Sequence, residues 1–369
     1  MKVLVLILVL VLVLDWSEAG LSLNNVTSFV CDAQTLEQVS FCRTSHFSLR
    51  RRCGSRFSSE FIQQNKPVHL FVQKNSSESK NSSESVRGKM KEARLLHQTR
   101  NDSSDPRSSS SFYERYHSLD DIYLWINRTS QDNPASVTVL LLGSSFEKRP
   151  IYALKGFYDH NSEMKKILDS FDVFVLPNRM WRKNRSVSPG GRCVGVDLNR
   201  NFDANWCTQG ASSSPCSEIY CGSFPESEPE SQAVANFLRT HKDLVQIYIS
   251  IHSYSQMLLF PFSCSREQVP NHSELLEMVE EAAHKIRRHY RNNYRYGAGA
   301  ETIYLAPGGS DDWAYNLGIK YSFTFELQDT GRFGFLLPPS HIGKACNEAL
   351  LAVKTIALKV LQKTQQDQD

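Results

Sequence analysis

The stretch Leu244–His252 reads LVQIYISIH, an almost unbroken apolar run that ends on an imidazole. A strand with one wet face alternates polar and apolar residues; a strand covered on both faces reads as nearly continuous Val, Ile and Leu. LVQIYISIH therefore reads as a strand buried on both faces. A second run of this kind, IKYSFTFEL at Ile319–Leu327, carries Glu326 near its end.

Around these two strands the chain alternates helices and strands from Ser111 onward. SLDDIYLWIN (Ser118–Asn127) offers Ser118 as an N-cap with Asp121 three residues on, then an apolar stripe through Ile122, Trp125 and Ile126. SVTVLLLG (Ser136–Gly143) and PIYALKGF (Pro150–Phe157) read as strands joined by the turn GSSFEKR. SEMKKILDSF is a short helix leading into the strand-like DVFVLP. SELLEMVEEAAHKIRRHY (Ser273–Tyr290) and IGKACNEALLAVKTIALKVL (Ile342–Leu361) repeat apolar residues at helical spacing. The pattern implies an α/β domain: a mixed, mostly buried sheet flanked by helices. No internal repeat is present.

The first hundred residues differ in texture. Lys2 precedes the apolar run Val3–Leu14, and small residues follow up to Ser17-Glu18-Ala19, the plan of a secretory signal peptide over residues 1–19. The run is shorter than the roughly 20 apolar residues that cross a bilayer, and no other segment qualifies, so a membrane is not expected as a partner. Seven N-x-S/T sequons (Asn25, Asn75, Asn81, Asn101, Asn127, Asn184 and Asn271) and nine cysteines suit a secreted, oxidised glycoprotein. Residues 20–107 hold SLRRRC, KNSSESKNSSESVRGKMKEAR and NDSSDPRSSSS, dominated by Ser, Asn and charge, with one strand-like interruption, PVHLFVQ. Such composition buries too little surface to offset ordering entropy, so this reads as a small, partly disordered pro-segment. Its Arg107–Ser108 bond is where a trypsin-like protease would cut, which leaves residues 108–369 as the main domain. A net charge of +3 over 369 residues is too mild to imply nucleic acid.

Polar residues gather at the ends of the apolar strands, where α/β sheets collect their ligand groups. His252 ends one, Glu326 ends another, and VDLNRNF supplies Asn199 and Arg200. Six motifs then run in order: NRMWRKNRS (178–186), CVGVDLNRNF (193–202), GASSSPCSEIYCG (210–222), ISIHSYSQ (249–256), ETIYLAPGGSDDW (301–313) and YSFTFELQDTGRFGFLLP (321–338). Together they resemble the zinc metallocarboxypeptidases of the pancreatic A/B type, over roughly Ser111 to Leu361.

That resemblance implies a secreted zymogen of B type that removes C-terminal Lys or Arg from peptides and proteins, using one zinc ion. It makes His252 a zinc ligand and Glu326 the general base on zinc-bound water. Arg182 would stabilise the oxyanion. Asn199 and Arg200 would hold the substrate's terminal carboxylate, with Arg179 along the same path. Tyr304 would close over the C-terminal residue. Asp311 would lie at the base of the side-chain pocket and select a cation, since a buried carboxylate needs one; its neighbour Asp312 is the less favoured determinant. The resemblance also implies the disulfides Cys193–Cys216 and Cys207–Cys221, with Cys31, Cys42, Cys53, Cys264 and Cys346 unassigned.

The sequence departs from the family in definite places. The family takes its first two zinc ligands from an H-x-R-E-W motif after the second strand; here SSFEKRPIYALKGF passes directly into YDHNSEMKKILDSFDVFVLP. The zinc motif, a strand and a core helix are absent, which predicts unpaired backbone groups at the centre of the sheet. The family's N-x-D-G-Y stretch is missing after Pro177, and Gln328 stands where Arg is usual. His160 and Glu163 in YDHNSEMKK have the H-x-x-E spacing of a zinc pair. They equally suit the first turn of a helix capped by Asp159 or Asn161, with Glu163 favoured by the dipole. One imidazole alone does not hold zinc. The second function this sequence implies is therefore an inactive relative or truncated product that at most binds basic C-termini.

Overall fold

The computed structural model describes residues 3–12 and 112–366, apart from 114, 157–161, 181, 189 and 192. The pro-segment with its Arg107–Ser108 bond, and His160, lie outside the described residues.

The first helix, α1 (Leu119–Asp132), starts where its capping chemistry places it. Ser118 Oγ accepts from the Asp121 amide at 3.0 Å, and Asp121 Oδ2 accepts from the Ser118 amide at 3.0 Å. Each carboxylate or hydroxyl satisfies an amide that the first turn leaves without a partner. β2 (Thr138–Ser144) and β3 (Pro150–Lys155) form the expected antiparallel pair. α2 (Ser162–Ser170) leads without a loop into β4 (Phe171–Met180). α3 (Pro229–His241), with Pro at its start, precedes β5 (Val245–Ser253). Then come β6 (Met257–Phe260), α4 (His272–Tyr290), β7 (Arg295–Ala298), the short α5 (Gly299–Thr302) and α6 (Ser310–Asn316). β8 (Tyr321–Leu327) and α7 (Ile342–Gln366) complete the domain.

With Val3–Leu12 as β1, the described strands belong to one sheet, in the order β2-β3-β4-β1-β5-β8-β6-β7. The run β4-β1-β5-β8 is parallel, β2-β3-β4 and β8-β6 pair antiparallel, and the outer pair β6-β7 is parallel again. Residues of one face, including Ile247, Ile249, Ile251, Phe323 and Phe325, pack with Leu275, Met278, Val279, Val353 and Ile356 of α4 and α7. On the other face Phe174, Leu176 and Tyr248 pack with Val234, Ala235 and Leu238 of α3 and Trp313 of α6. Covering on both sides explains why LVQIYISIH shows no polar alternation.

One expectation is corrected. The missing family strand predicts unpaired edges on β4 and β5, yet Val3–Leu12 (β1) lies between them and runs parallel to both. It pairs with β4 from Val3↔Phe171 through Leu12↔Met180, and with β5 from Leu4↔Val245 through Val9↔Ile251. The physical reason is that a leader core and a doubly buried parallel strand share one composition, here VLVLILVLVL. Two open edges in a buried layer favour any such segment that can satisfy their N–H and C=O groups.

A chain that begins at Gly20 leaves the facing edges of β4 and β5 without a neighbour. It is expected to lose cooperative denaturant unfolding and hydrogen-exchange protection at Ile247–Ile251, relative to the full chain. Superimposable unfolding curves for the two chains would remove β1 from the folding unit.

Candidate active site

The site begins with strand register. β5 and β8 are parallel neighbours, with Ser250 opposite Thr324 and His252 opposite Glu326. Side chains alternate along a strand, so Ser250 and His252 share a face with Thr324 and Glu326, away from the Ile and Phe residues packed on α4 and α7. His252 is buried, and its Nε2 lies 2.7 Å from Ser250 Oγ.

A loop fastened by two disulfides brings the cations to this face. Both bridges implied by the resemblance are present: Cys193–Cys216 and Cys207–Cys221, with Cα separations of 5.1 and 5.5 Å. Between them, Asp197 Oδ1 accepts from the Asn199 amide at 3.2 Å and opens a single 3-10 turn, Leu198–Arg200. Arg200 is buried; its Nε donates to Gly210 O at 3.2 Å and its Nη1 to Asn199 O at 2.7 Å. Asn199 Oδ1 accepts from the Ser310 amide at 3.0 Å, which ties this turn to α6. Gly308 is required at the junction: its φ is +74°, and a Cβ there would lie 2.3 Å from the Arg200 carbonyl oxygen.

α6 carries the two neighbouring acids in different surroundings. Asp312 is fastened to the backbone, accepting from the Ser263 amide at 2.9 Å and the Cys264 amide at 2.6 Å. Asp311 is 2% exposed, and its Oδ2 has no hydrogen-bond partner among the described residues. Thr324 Oγ1, from β8, is likewise buried without an aligned partner, yet it lies near enough to Asp311 to favour the carboxylate form weakly against burial.

Arg182 lies 2.7 Å by Nη2 from Asp197 Oδ2, a charge contact more than an aligned hydrogen bond. Burial works against its charge, but Asp197, then Tyr304 and Glu326, outweigh that and raise its pKa. Burial first, then Arg182 and Arg200, push His252 down to about 3, so it stays neutral. Burial lifts Glu326 to about 8, against the pull of Arg182 and Arg200. Burial likewise raises Asp311, and burial with the Asp311 charge beside it lifts Asp312 to about 7. These mutual influences place Arg182, Arg200, His252, Asp311 and Glu326 around one polar centre.

Tyr304, 44% exposed, lies within electrostatic reach of Arg182. Arg179 stands near the end of β4, opposite Val11 in register. Glu163 is in the first turn of α2. Cys264 is unpaired and half-buried, whereas Cys346 is disulfide-bonded. Gln328 donates to Glu348 Oε2 at 2.6 Å, beside Tyr294 at 2.9 Å and Asn292 to Oε1 at 2.6 Å. Neutral donors thus surround a buried carboxyl whose pKa burial raises, which suits a neutral side chain at Gln328.

Sequence reading overlooked Asp197, Ser250 and Thr324. Asp197 had a usable signal, an acid two residues before Asn199 and three before Arg200 in the same motif. Ser250 had one in its period-two spacing from His252.

A catalytic zinc of this kind needs three protein ligands. Among the described residues no three His, Cys, Asp or Glu side chains are grouped to hold a metal, and the His252 Nε2 is engaged by Ser250. The described donor set does not fit zinc.

The fold, strand-end polar centre and paired disulfides define a metallocarboxypeptidase-type peptide hydrolase, and the chain belongs to the zinc carboxypeptidase family, which matches residues 156–352. Among its relatives, Carboxypeptidase B2 of Rattus norvegicus is 41% identical over 372 residues, covering 83% of this chain and 87% of the relative. Carboxypeptidase B2 of Homo sapiens is 43% identical over 320 residues, 73% of this chain and 76% of the relative. Bovine thrombin-activatable fibrinolysis inhibitor, solved in complex with tick carboxypeptidase inhibitor, is 46% identical with a TM-score of 0.65, covering 68% of this chain and 99% of that one. The rat alignment is 372 positions long yet uses only 83% of a 369-residue chain, so a block of the relative has no counterpart here.

Two measurements probe this centre. Asp197→Ala leaves the partly buried Arg182 without its nearest counter-charge and is expected to cost up to about 3 kcal/mol in denaturant unfolding. For Glu326, the folded pKa of about 8 lies above the ordinary carboxyl value of 4.5. Its favourable contribution is therefore complete below the unfolded value and is lost as pH rises through the folded one. Glu326→Gln should accordingly show a smaller fall in melting temperature than the parent across about pH 5 to 9.

Proposed function

We propose that this chain receives the C-terminal Lys or Arg of a peptide in a carboxypeptidase B-type pocket, and that it acts by recognition without turnover. The observation that carries this reading is the buried Asp311 carboxyl, whose Oδ2 has no hydrogen-bond partner among the described residues. Burial disfavours its charged form; an entering ammonium or guanidinium would restore it, whereas an apolar side chain would leave it unpaired. Arg200 and Asn199, fixed by the disulfide-bound turn, are the groups for the peptide's terminal carboxylate. Tyr304, exposed at the rim, would cover the bound residue, and Arg179 would extend the cationic path.

Hydrolysis is the family's chemistry, and zinc supplies it by activating water and polarising the scissile carbonyl. In this chain the described residues contribute His252 alone from the ligand set. Desolvation raises the Glu326 pKa in the metal-free site, which favours its protonated form there. Arg182 remains available as a positive charge near the peptide carbonyl, partly offset by Asp197.

We further read the N-terminal apolar segment as a secretory leader and residues 20–107 as a pro-segment that a trypsin-like protease releases at Arg107–Ser108; leader and β1 are alternative fates of one segment, since its cleavage would withdraw β1 and open the facing edges of β4 and β5. The cysteine pairing and the sequons support an extracellular setting.

Purified protein would be assayed for bound zinc, and titrated calorimetrically with a peptide ending in Arg and the same peptide ending in Leu. The Arg peptide is expected to bind at least about tenfold more tightly, Asp311→Ala to abolish the difference, and no free Arg to appear. Equal affinity for both peptides would reject the pocket. Stoichiometric zinc with chelator-sensitive release of Arg would replace recognition by catalysis.

A further inference from the structure

Three of the sequons lie in described residues, and the fold sorts two of them sharply. Asn127 is on the exposed side of α1, one residue after the buried Ile126, and its side chain makes no hydrogen bond among the described residues. Asn184 is 6% exposed, and both ends of its amide are in use. Its Oδ1 accepts from the Val196 amide at 2.9 Å and from Ser186 Oγ at 2.9 Å. Its Nδ2 donates to Glu228 Oε2 at 2.6 Å and Glu230 Oε2 at 3.0 Å. Asn271 is intermediate: Nδ2 donates to Lys320 O at 3.1 Å, Oδ1 accepts from Tyr315 Oη at 2.6 Å, and one amide hydrogen has no partner among the described residues.

We propose that Asn127 is an N-glycosylation site of the folded protein and that Asn184, despite its sequon, is a structural residue that stays unmodified. The assignment rests on the secretory reading above. The reaction joins Nδ2 of the asparagine to the anomeric carbon of an oligosaccharide carried on a polyprenyl diphosphate. The anomeric C–O bond breaks, the diphosphate leaves with its electron pair, and the amide gives up one proton. A modified Nδ2 therefore keeps a single N–H.

At Asn127 that loss removes no contact, and the sugar projects from the outer face of α1. At Asn184 both N–H groups hold carboxylates, and Glu228 is itself buried at the start of α3. A sugar there would displace one acceptor, leave a buried carboxylate short of a donor, and demand space between the Arg182–Ser186 segment and α3. A chain modified at Asn184 during synthesis would be unable to close this region. The same contacts explain the residue: Asn184 bridges the stretch carrying Arg182 to the helix that covers the sheet.

The full chain would be produced in secreting animal cells, and its glycans removed enzymatically in heavy-oxygen water, so that each formerly glycosylated Asn becomes a labelled Asp. Peptide mapping is expected to find label at Asn127 and unmodified Asn at 184. Asn127→Gln should remove one glycan's mass while secretion continues, and Asn184→Gln should leave the glycan mass unchanged in whatever material is recovered. Label at Asn184 in the folded, secreted chain, or an unlabelled Asn127 beside labelled sequons elsewhere, overturns the proposal. A chain that stays in the cytosol with every sequon bare refutes the secretory reading, and the assignment falls with it.

Discussion

The constraint on which the rest depends is that a parallel sheet covered on both faces has no water to satisfy its backbone. Every central strand must therefore have a neighbour on each side. In this chain the family's segment at that place is missing, and the apolar N-terminal strand takes its position between β4 and β5. With β5 held on both edges, β8 aligns beside it, and that register sets His252 opposite Glu326. The polar centre is thus a consequence of sheet completion, not of the loops alone.

Around that centre the protein concentrates buried charge. Arg182 and Arg200 lie among Asp197, Asp311 and Glu326 with little solvent, and the ionisation of Arg182, Asp311 and Glu326 depends on these charged neighbours. Burial favours the neutral forms of His252 and Glu326 in the metal-free site. The two disulfides and the Asn199–Ser310 hydrogen bond fasten the cations to α6, which carries Asp311. Recognition of a cationic terminus needs that rigidity, because a buried carboxylate discriminates only if its surroundings cannot rearrange to satisfy it.

Much of this was legible in the chain. The lack of alternation in LVQIYISIH and IKYSFTFEL announced buried strands, Ser118 with Asp121 announced a helix start, and six ordered motifs carried the family. The cap of α1 and both inferred disulfides are as read. The N-terminal run was legible as apolar but ambiguous in role, because a leader core and a parallel strand obey the same compositional rule. Asp197 was hidden inside a motif noted for its neighbours, since an ion pair to Arg182 spans chain positions that spacing does not connect. The two sequons looked alike because N-x-S/T says nothing of what surrounds the amide.

What the sequence determined by itself was local or periodic: strand and helix identities, the family, and the residue types available for chemistry. These follow from interactions among near neighbours and from burial patterns that repeat along an element. The tertiary structure alone decided which strand fills the centre of the sheet, which of Asp311 and Asp312 has an oxygen left unpaired, and which asparagine is engaged on both sides. Each of those depends on groups far apart in the chain meeting where water is excluded, and there the presence or absence of one hydrogen-bond partner decides a residue's role.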